Sequence, residues 1–322
     1  MASTADFRSH HRPHLRVAAA LIAWASLALS GCTAASPAQR TFASPEEAVR
    51  ALNDAVKAGR LDDVVAIFGA EGKELVDSSD AATARQNREI FVAAVAERWR
   101  LEEQGADTRV LVIGNEDWPF PVPLIKDGNA WRFDTAAGKE EVLSRRVGRN
   151  ELAAIRICGA YVNAQHLYAA RAHDGKPAGL FAQSFRSDRG RQNGLYWPAA
   201  RGEKPSPLGD LVAQAAEEGT PVGQGKEPAP FHGYFFKIVT RQGAAAPGGA
   251  RDYIANGGMS GGFALVAWPA QYDVTGVMTF IVNQDGSVRQ KDLGPDTASA
   301  ARALGDYNPD DTWSAAAGAS RQ

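Results

Sequence analysis

The chain has 322 residues, 44% of them hydrophobic and 22% charged, with a formal net charge of −2 at neutral pH. That composition is the one expected of a soluble globular protein, with length for one large or two ordinary domains. A balance of 35 basic against 37 acidic residues argues against a nucleic-acid binder, which carries a basic surplus or stripe.

Residues 17–29 form an apolar run behind Arg8, Arg12 and Arg16. A charged start, an apolar middle and small residues before a cut predict a secretory signal peptide over residues 1–31. The run is well short of the ~20 residues that span a bilayer as a helix. Its end, Leu29-Ser30-Gly31-Cys32, resembles the lipobox of bacterial lipoproteins. That resemblance implies a diacylglycerol thioether on the Cys32 sulfur and cleavage that makes Cys32 the new N-terminus. Thr33, rather than aspartate, follows it, which by the same resemblance favours the outer membrane where the source has one. Residues 32–40 then read as a lipidated tether, whose last eight residues reach roughly 27 Å when extended. Cys158 remains as a lone cysteine on an apolar helical stripe, read as a buried thiol rather than a nucleophile.

The first folded region is expected over 41–138. Ser44-Pro45-Glu46-Glu47 is a helix start, with a serine cap, proline at the first position and acids in the first turn. A second helix is expected over 61–68. A third is expected over 85–103, with Ile90, Phe91, Val95 and Trp99 inward. Residues 110–113 read as a strand and 118–125 as a proline-rich edge strand. Lys126-Asp127-Gly128-Asn129 then turns the chain into a returning strand over 130–133.

The second region, 139–322, opens with a helix over 138–171 whose one weak point is Gly148. Arg145, Arg146 and Arg149 form a basic cluster on it, read as a solvated face in preference to a phosphate or lipid-headgroup site. Ile155, Cys158, Val162, Gln165 and Tyr168 recur at helical spacing and are expected to face a core. Residues 181–230 are irregular apart from a short helix over 208–217, capped by Ser206. Strands follow over 234–240, 263–269 and 277–282, then an Asp285-Gly286 turn and a last helix over 297–304. The fold class is therefore α+β: helices on a curled antiparallel sheet, then a long helix leading to a second antiparallel sheet.

Longer stretches carry a family resemblance. Residues Trp118-Pro119-Phe120-Pro121-Val122-Pro123-Leu124, Gly194-Leu195-Tyr196-Trp197-Pro198, Phe231-His232-Gly233-Tyr234 and Gln290-Lys291-Asp292-Leu293-Gly294-Pro295 resemble the bacterial domain-of-unknown-function family 2950, which brings no established activity. The helix-then-sheet order of 41–138 is similar to NTF2-like modules, in which helices close a bent sheet around a pocket. The C-terminal part is similar to type IV pilin and pseudopilin heads, in patterns such as Gly233-Tyr234-x-Phe236 and Asp285-Gly286-x-Val288-Arg289.

Catalytic signatures are sparse. Gly258-Met259-Ser260-Gly261-Gly262 matches the serine-hydrolase pattern, but a strand follows the serine where the mechanics need a helix. His166 and His173 are seven apart and lack a third zinc ligand. Asp285, Asp292 and Asp296 miss the spacing of a calcium loop and read as turn and cap residues. Glu116 and Asp117 are adjacent, so on a strand they point to opposite faces. No cofactor or metal is expected. What remains is an aromatic inventory suited to a binding cleft, Trp118, Trp131 and Asp134 in the first half and Tyr196, Trp197 and His232 in the second. Core packing is the plainer reading of those aromatics.

The functional expectation is an exported, lipid-anchored protein on the periplasmic face of the envelope, without enzymatic activity. Its partners are the membrane through its anchor, and either an envelope protein or a small apolar or peptidic ligand. The alternatives are a hydrolase of envelope polymers, with Ser260 or Glu116 and Asp117 at its site, and a minor pilin-like subunit.

Overall fold

The first helix begins where the sequence supplies its cap. In the computed structural model, which describes residues 38–76, 81–199, 202–212 and 229–316, Ser44 accepts the Glu47 amide at 3.2 Å and opens α1 (Pro45–Lys57). Its stripe Ala48, Val49, Leu52 and Ala55 is buried. Then come α2 (Leu61–Phe68), a 3-10 turn (Ala70–Gly72), α3 (Lys73–Val76) and α4 (Ala81–Glu97). The expected signal peptide and most of the tether lie outside the described residues.

Helix α4 ends six residues before the expected point, and β1 (Trp99–Glu103) takes the remainder. The alternation Trp-Arg-Leu-Glu is a strand period, and β2 (Thr108–Ile113) pairs with it, Leu101 opposite Leu111. Ile90, expected inward, is 59% exposed, because Phe91, Ala94 and Val95 form the packed face one step around the helix. The expected edge strand over 118–125 is split into β3 (Trp118–Pro119) and β4 (Leu124–Asp127). Pro119, Pro121 and Pro123 have no N–H to give a continuous ladder. Gly128-Asn129 joins β4 to β5 (Ala130–Phe133), with Asp127 opposite Ala130. These strands and the helices enclose a core that includes Phe68, Leu111, Leu124, Trp131 and Phe133.

Helix α5 (Thr135–Ala169) leaves this unit and enters the second. Asp134 caps it, accepting the Ala137 amide at 3.2 Å, and Thr135 Oγ1 donates to the Phe68 carbonyl at 2.6 Å. Gly138 lies so close to Val122 that a Cβ would sit 2.7 Å from a valine methyl. Farther along, Glu151 Oε1 accepts the amides of Val277 and Met278 at 2.9 and 3.0 Å. The buried stripe of Ile155, Cys158, Val162, Gln165 and Tyr168 then faces the second core.

That core is built on β6 (Tyr234–Val239), β11 (Ala264–Pro269), β12 (Met278–Asn283), β13 (Arg289–Asp292) and β14 (Ser314–Ala315), all antiparallel, in the order β14-β13-β12-β11-β6. Two small hairpins lie between β6 and β11: β7 (Arg241–Gln242) with β8 (Arg251–Asp252), and β9 (Ile254–Ala255) with β10 (Gly258–Met259). Helix α6 (Thr297–Ala303) packs against β11. Its last carbonyls are met by Lys237 Nζ, which donates to the Arg302 and Leu304 oxygens at 2.7 and 2.6 Å. The architecture is α+β, with α5 running between the two sheets. Of the expected helix over 208–217, Leu208 is in the preceding turn, residues 209–212 are helical and 213–217 lie outside the described residues. Its start is held by the Ser206 carbonyl, which accepts the Gly209 amide at 2.8 Å, not by the serine hydroxyl.

Gly148 sits inside α5, where an added Cβ would meet nothing within 4 Å. Gly148→Ala is therefore expected to raise unfolding stability by roughly 0.5–1 kcal/mol. Chemical denaturation checks this, and an unchanged or lower midpoint would contradict it.

Candidate functional site

A concavity of about 700 Å³ lies where the chain leaves α5. Its first wall is the end of that helix. Past Ala170 the chain makes a two-residue hairpin, His173 and Lys176 exchanging backbone hydrogen bonds at 3.1 and 2.8 Å. Asp174 (φ 46) and Gly175 (φ 76) both take the left-handed conformation that such a turn requires. The Asp174 carboxylate accepts the Gln192 amide at 2.9 Å and so ties this turn to the opposite wall.

That opposite wall is a loop fastened to itself. Asn193 Oδ1 accepts the Asp188 amide at 2.9 Å, and Asn193 Nδ2 donates to the Asp188 carboxylate at 2.7 Å. Gly194 passes so close to the Arg186 backbone that a Cβ would lie 2.5 Å from its carbonyl carbon. The third side is β10, whose Met259 carbonyl accepts the Phe181 amide at 2.7 Å. Gly258 allows that approach, since a Cβ there would meet Leu180 Cδ2 at 2.9 Å.

Buried polar pairing fixes the floor. Gln165, fully buried on α5, donates to the Ala182 carbonyl and accepts the Ala182 amide, both at 2.8 Å. It also donates to the Tyr161 hydroxyl at 3.0 Å. His173 stacks on Tyr168 at 4.1 Å. Its Nε2 donates to the Tyr168 carbonyl at 2.9 Å, and its Nδ1 lies 3.3 Å from the Gln192 side-chain amide. With both nitrogens engaged, this imidazole holds the wall together and is not offered as a base. Leu180, Phe181 and Met259 supply apolar lining, while Lys176, Gln183, Arg191 and Asn193 supply polar and cationic lining. Ser184 donates its hydroxyl to the Arg186 carbonyl at 3.0 Å, so it is not a primed nucleophile. The lining thus sets hydrogen-bonding and cationic groups beside an apolar side.

The aromatic residues named from sequence lie elsewhere. Trp118 is 46% exposed, edge-on to Phe120 and beneath the Arg145 guanidinium. Trp131 is buried in the first core under Arg109, and Asp134 is the α5 cap. Tyr196 is half-buried with Arg186 over its ring. Trp197 is buried edge-on to His173, behind the cleft wall. His232 precedes β6 in a left-handed conformation against Phe231. None of these lines the cleft. The signal in the sequence that points to this wall is Asp174-Gly175, a pair suited to a two-residue hairpin turn.

The remaining chemical candidates have structural partners or the wrong surroundings. Ser260 follows β10 and precedes β11, its amide bonded to the Tyr253 carbonyl at 2.9 Å, so no helix backs it. Asp117 sits between Arg98 and Arg100, and hydrogen bonding from Arg100 above all holds its carboxyl below the ordinary range. Burial pushes the Cys158 thiol up to about 12, which keeps it protonated. His166 is exposed against Phe181 and Phe263, whereas His173 is buried.

Gln165→Leu removes the partners of both Ala182 backbone groups. The expected loss is about 3 kcal/mol of stability, with faster amide exchange across 180–184. Unchanged exchange there would show that Gln165 does not hold the wall.

Among known proteins, the model of a family described as "Protein of unknown function (DUF2950)" matches residues 39–316. No curated protein and no solved structure matches the chain. The match covers well over half of the sequence, and the chain belongs to that family.

Proposed function

We propose that this member of the family is a lipid-anchored binding protein of the bacterial envelope, which captures a polar or peptidic ligand or a segment of an envelope partner. The observation that carries the reading is the cleft at the end of α5. Its walls are fixed by buried and backbone hydrogen bonds, while Lys176, Gln183 and Arg191 are left at an open rim. A concavity in which several polar groups converge beside an apolar side offers a ligand both hydrogen bonds and contact surface. The lining favours a ligand with hydrogen-bonding groups over a purely apolar one.

The anchor rests on the lipobox resemblance at Leu29-Ser30-Gly31-Cys32. Among the described residues, Gln39 Nε2 donates to the Ile67 and Phe133 carbonyls at 3.1 and 2.7 Å, which fastens the chain to the folded body at that point. The stretch from Cys32 to Gln39 reaches about 24 Å, which keeps the body close to the bilayer. Thr33 directs the lipidated form to the outer membrane where the source has one.

Two measurements test the two parts. Feeding cells an alkyne-tagged fatty acid should label the wild-type chain and leave Cys32→Ala unlabelled; an unlabelled wild type removes the anchor. A photo-reactive residue at Gln183 should give a discrete crosslinked species in intact cells, lost with Arg191→Glu and absent when the probe stands at Asp54 on α1. Equal crosslinking from both positions would remove the cleft from consideration.

A further inference from the structure

Among the described residues, one face of α5 is left exposed from Arg149 to Leu167. Arg149, Leu152, Arg156, Asn163 and Leu167 are all exposed, and at 100° per residue they fall within one narrow sector. Leu152 and Leu167 are 50% and 58% exposed, unusual for leucines on a helix otherwise packed against a core. From Leu152 to Ala169 the helix contains no Asp or Glu, and its last acid, Glu151, is turned away to hold the start of β12. At the N-terminal end of the same sector Arg145 lies over the exposed ring of Trp118.

Arginine and leucine together on one exposed face, with a tryptophan beside its end, offer both charge and apolar surface to a membrane interface. We propose that this stripe of α5 rests against an anionic lipid surface, holding the protein flat on the leaflet to which it is tethered. The proposal rests on the lipid-anchor reading for its cellular setting, and two observations select this occupant. First, from Arg149 to Leu167 the stripe carries two arginines and no acid, so it complements anionic headgroups. A second copy of the same stripe would set Arg149 and Arg156 against like charges. Second, Gln39 is tied to the Phe133 carbonyl, one residue before the α5 cap. A tether of about 24 Å therefore starts beside one end of a helix about 52 Å long. Lipid attachment and stripe are thus within reach of the same surface.

The test uses the unlipidated chain from Thr33, which contains every described residue, so its outcome does not depend on Cys32. An environment-sensitive dye is placed at Leu152→Cys; Cys158 is buried and does not compete under native conditions. Vesicles of equal phosphatidylglycerol and phosphatidylcholine should shift the dye to the blue, reversibly with salt, and pure phosphatidylcholine should not. Arg149→Glu with Arg156→Glu should weaken partitioning by roughly tenfold or more. Arg50→Glu with Lys57→Glu, an equal charge change on α1, should leave it within about twofold. No shift with anionic vesicles, equal shifts with both lipids, or equal losses in the two variants would overturn the proposal. A concentration-dependent shift without vesicles would overturn it in favour of self-association. Binding here together with an unlabelled Cys32 would retain the stripe and reject only the covalent anchor.

Discussion

The rotational phase of α5 is the constraint on which both halves of the molecule depend. Thirty-five residues of continuous helix have to satisfy two cores that share no strand. The N-terminal turns press Gly138 onto Val122 and bond Thr135 to the Phe68 carbonyl. The C-terminal turns bury Tyr161, Gln165 and Tyr168 under the second sheet. Each residue advances the helix by 100°, so a single insertion between these regions would turn one set of contacts away from its core. Glu151 and Asn150 stand where the allegiance changes, bonded to the Val277, Met278 and Thr275 backbones. A carboxylate accepting two strand amides at that point fixes the angle at which helix meets sheet.

The cleft inherits this constraint. Gln165 carries the geometry of the helix directly into the Ala182 backbone, and Tyr168 carries it into Gln192 and His173. Few of these contacts are apolar, so the site is held by direction-dependent bonds more than by packing. That suits a surface that must keep its shape while its rim remains hydrated. Glycine is needed at 194, where the chain passes almost in contact with the Arg186 and Ser187 backbone.

Much of the fold was legible in the sequence because local chemistry and tertiary role coincide. Ser44-Pro45-Glu46-Glu47 opens a helix, and residues 278–283 and 264–269 are strands whose apolar runs are buried on both faces. Trp99–Glu103 was misread because its first residues also continue a helical period, and only pairing with β2 decides between the two. The site was far less legible. Its walls are single backbone bridges, Phe181 to Met259 and Arg186 to Tyr196, between segments without a strand pattern of their own. Aromatics drew attention instead, yet a tryptophan in a core and one in a cleft leave the same mark on a sequence. Trp131 and Trp197 proved to be core, and Trp118 lies on a different surface.

The way the chain joins the fold at its N-terminal side has a mechanical consequence. Phe42 exchanges both backbone hydrogen bonds with Trp131 at 2.8 Å, so this segment runs antiparallel beside β5. A load along the strand direction would be carried by this segment. Force arriving through it therefore acts across the hydrogen bonds, which lie at right angles to the strands. The two Phe42–Trp131 bonds, with the Gln39 clamp, share the load and yield together, whereas a sideways pull would open them in turn. A seam loaded in shear in this way is stronger than one opened by peeling.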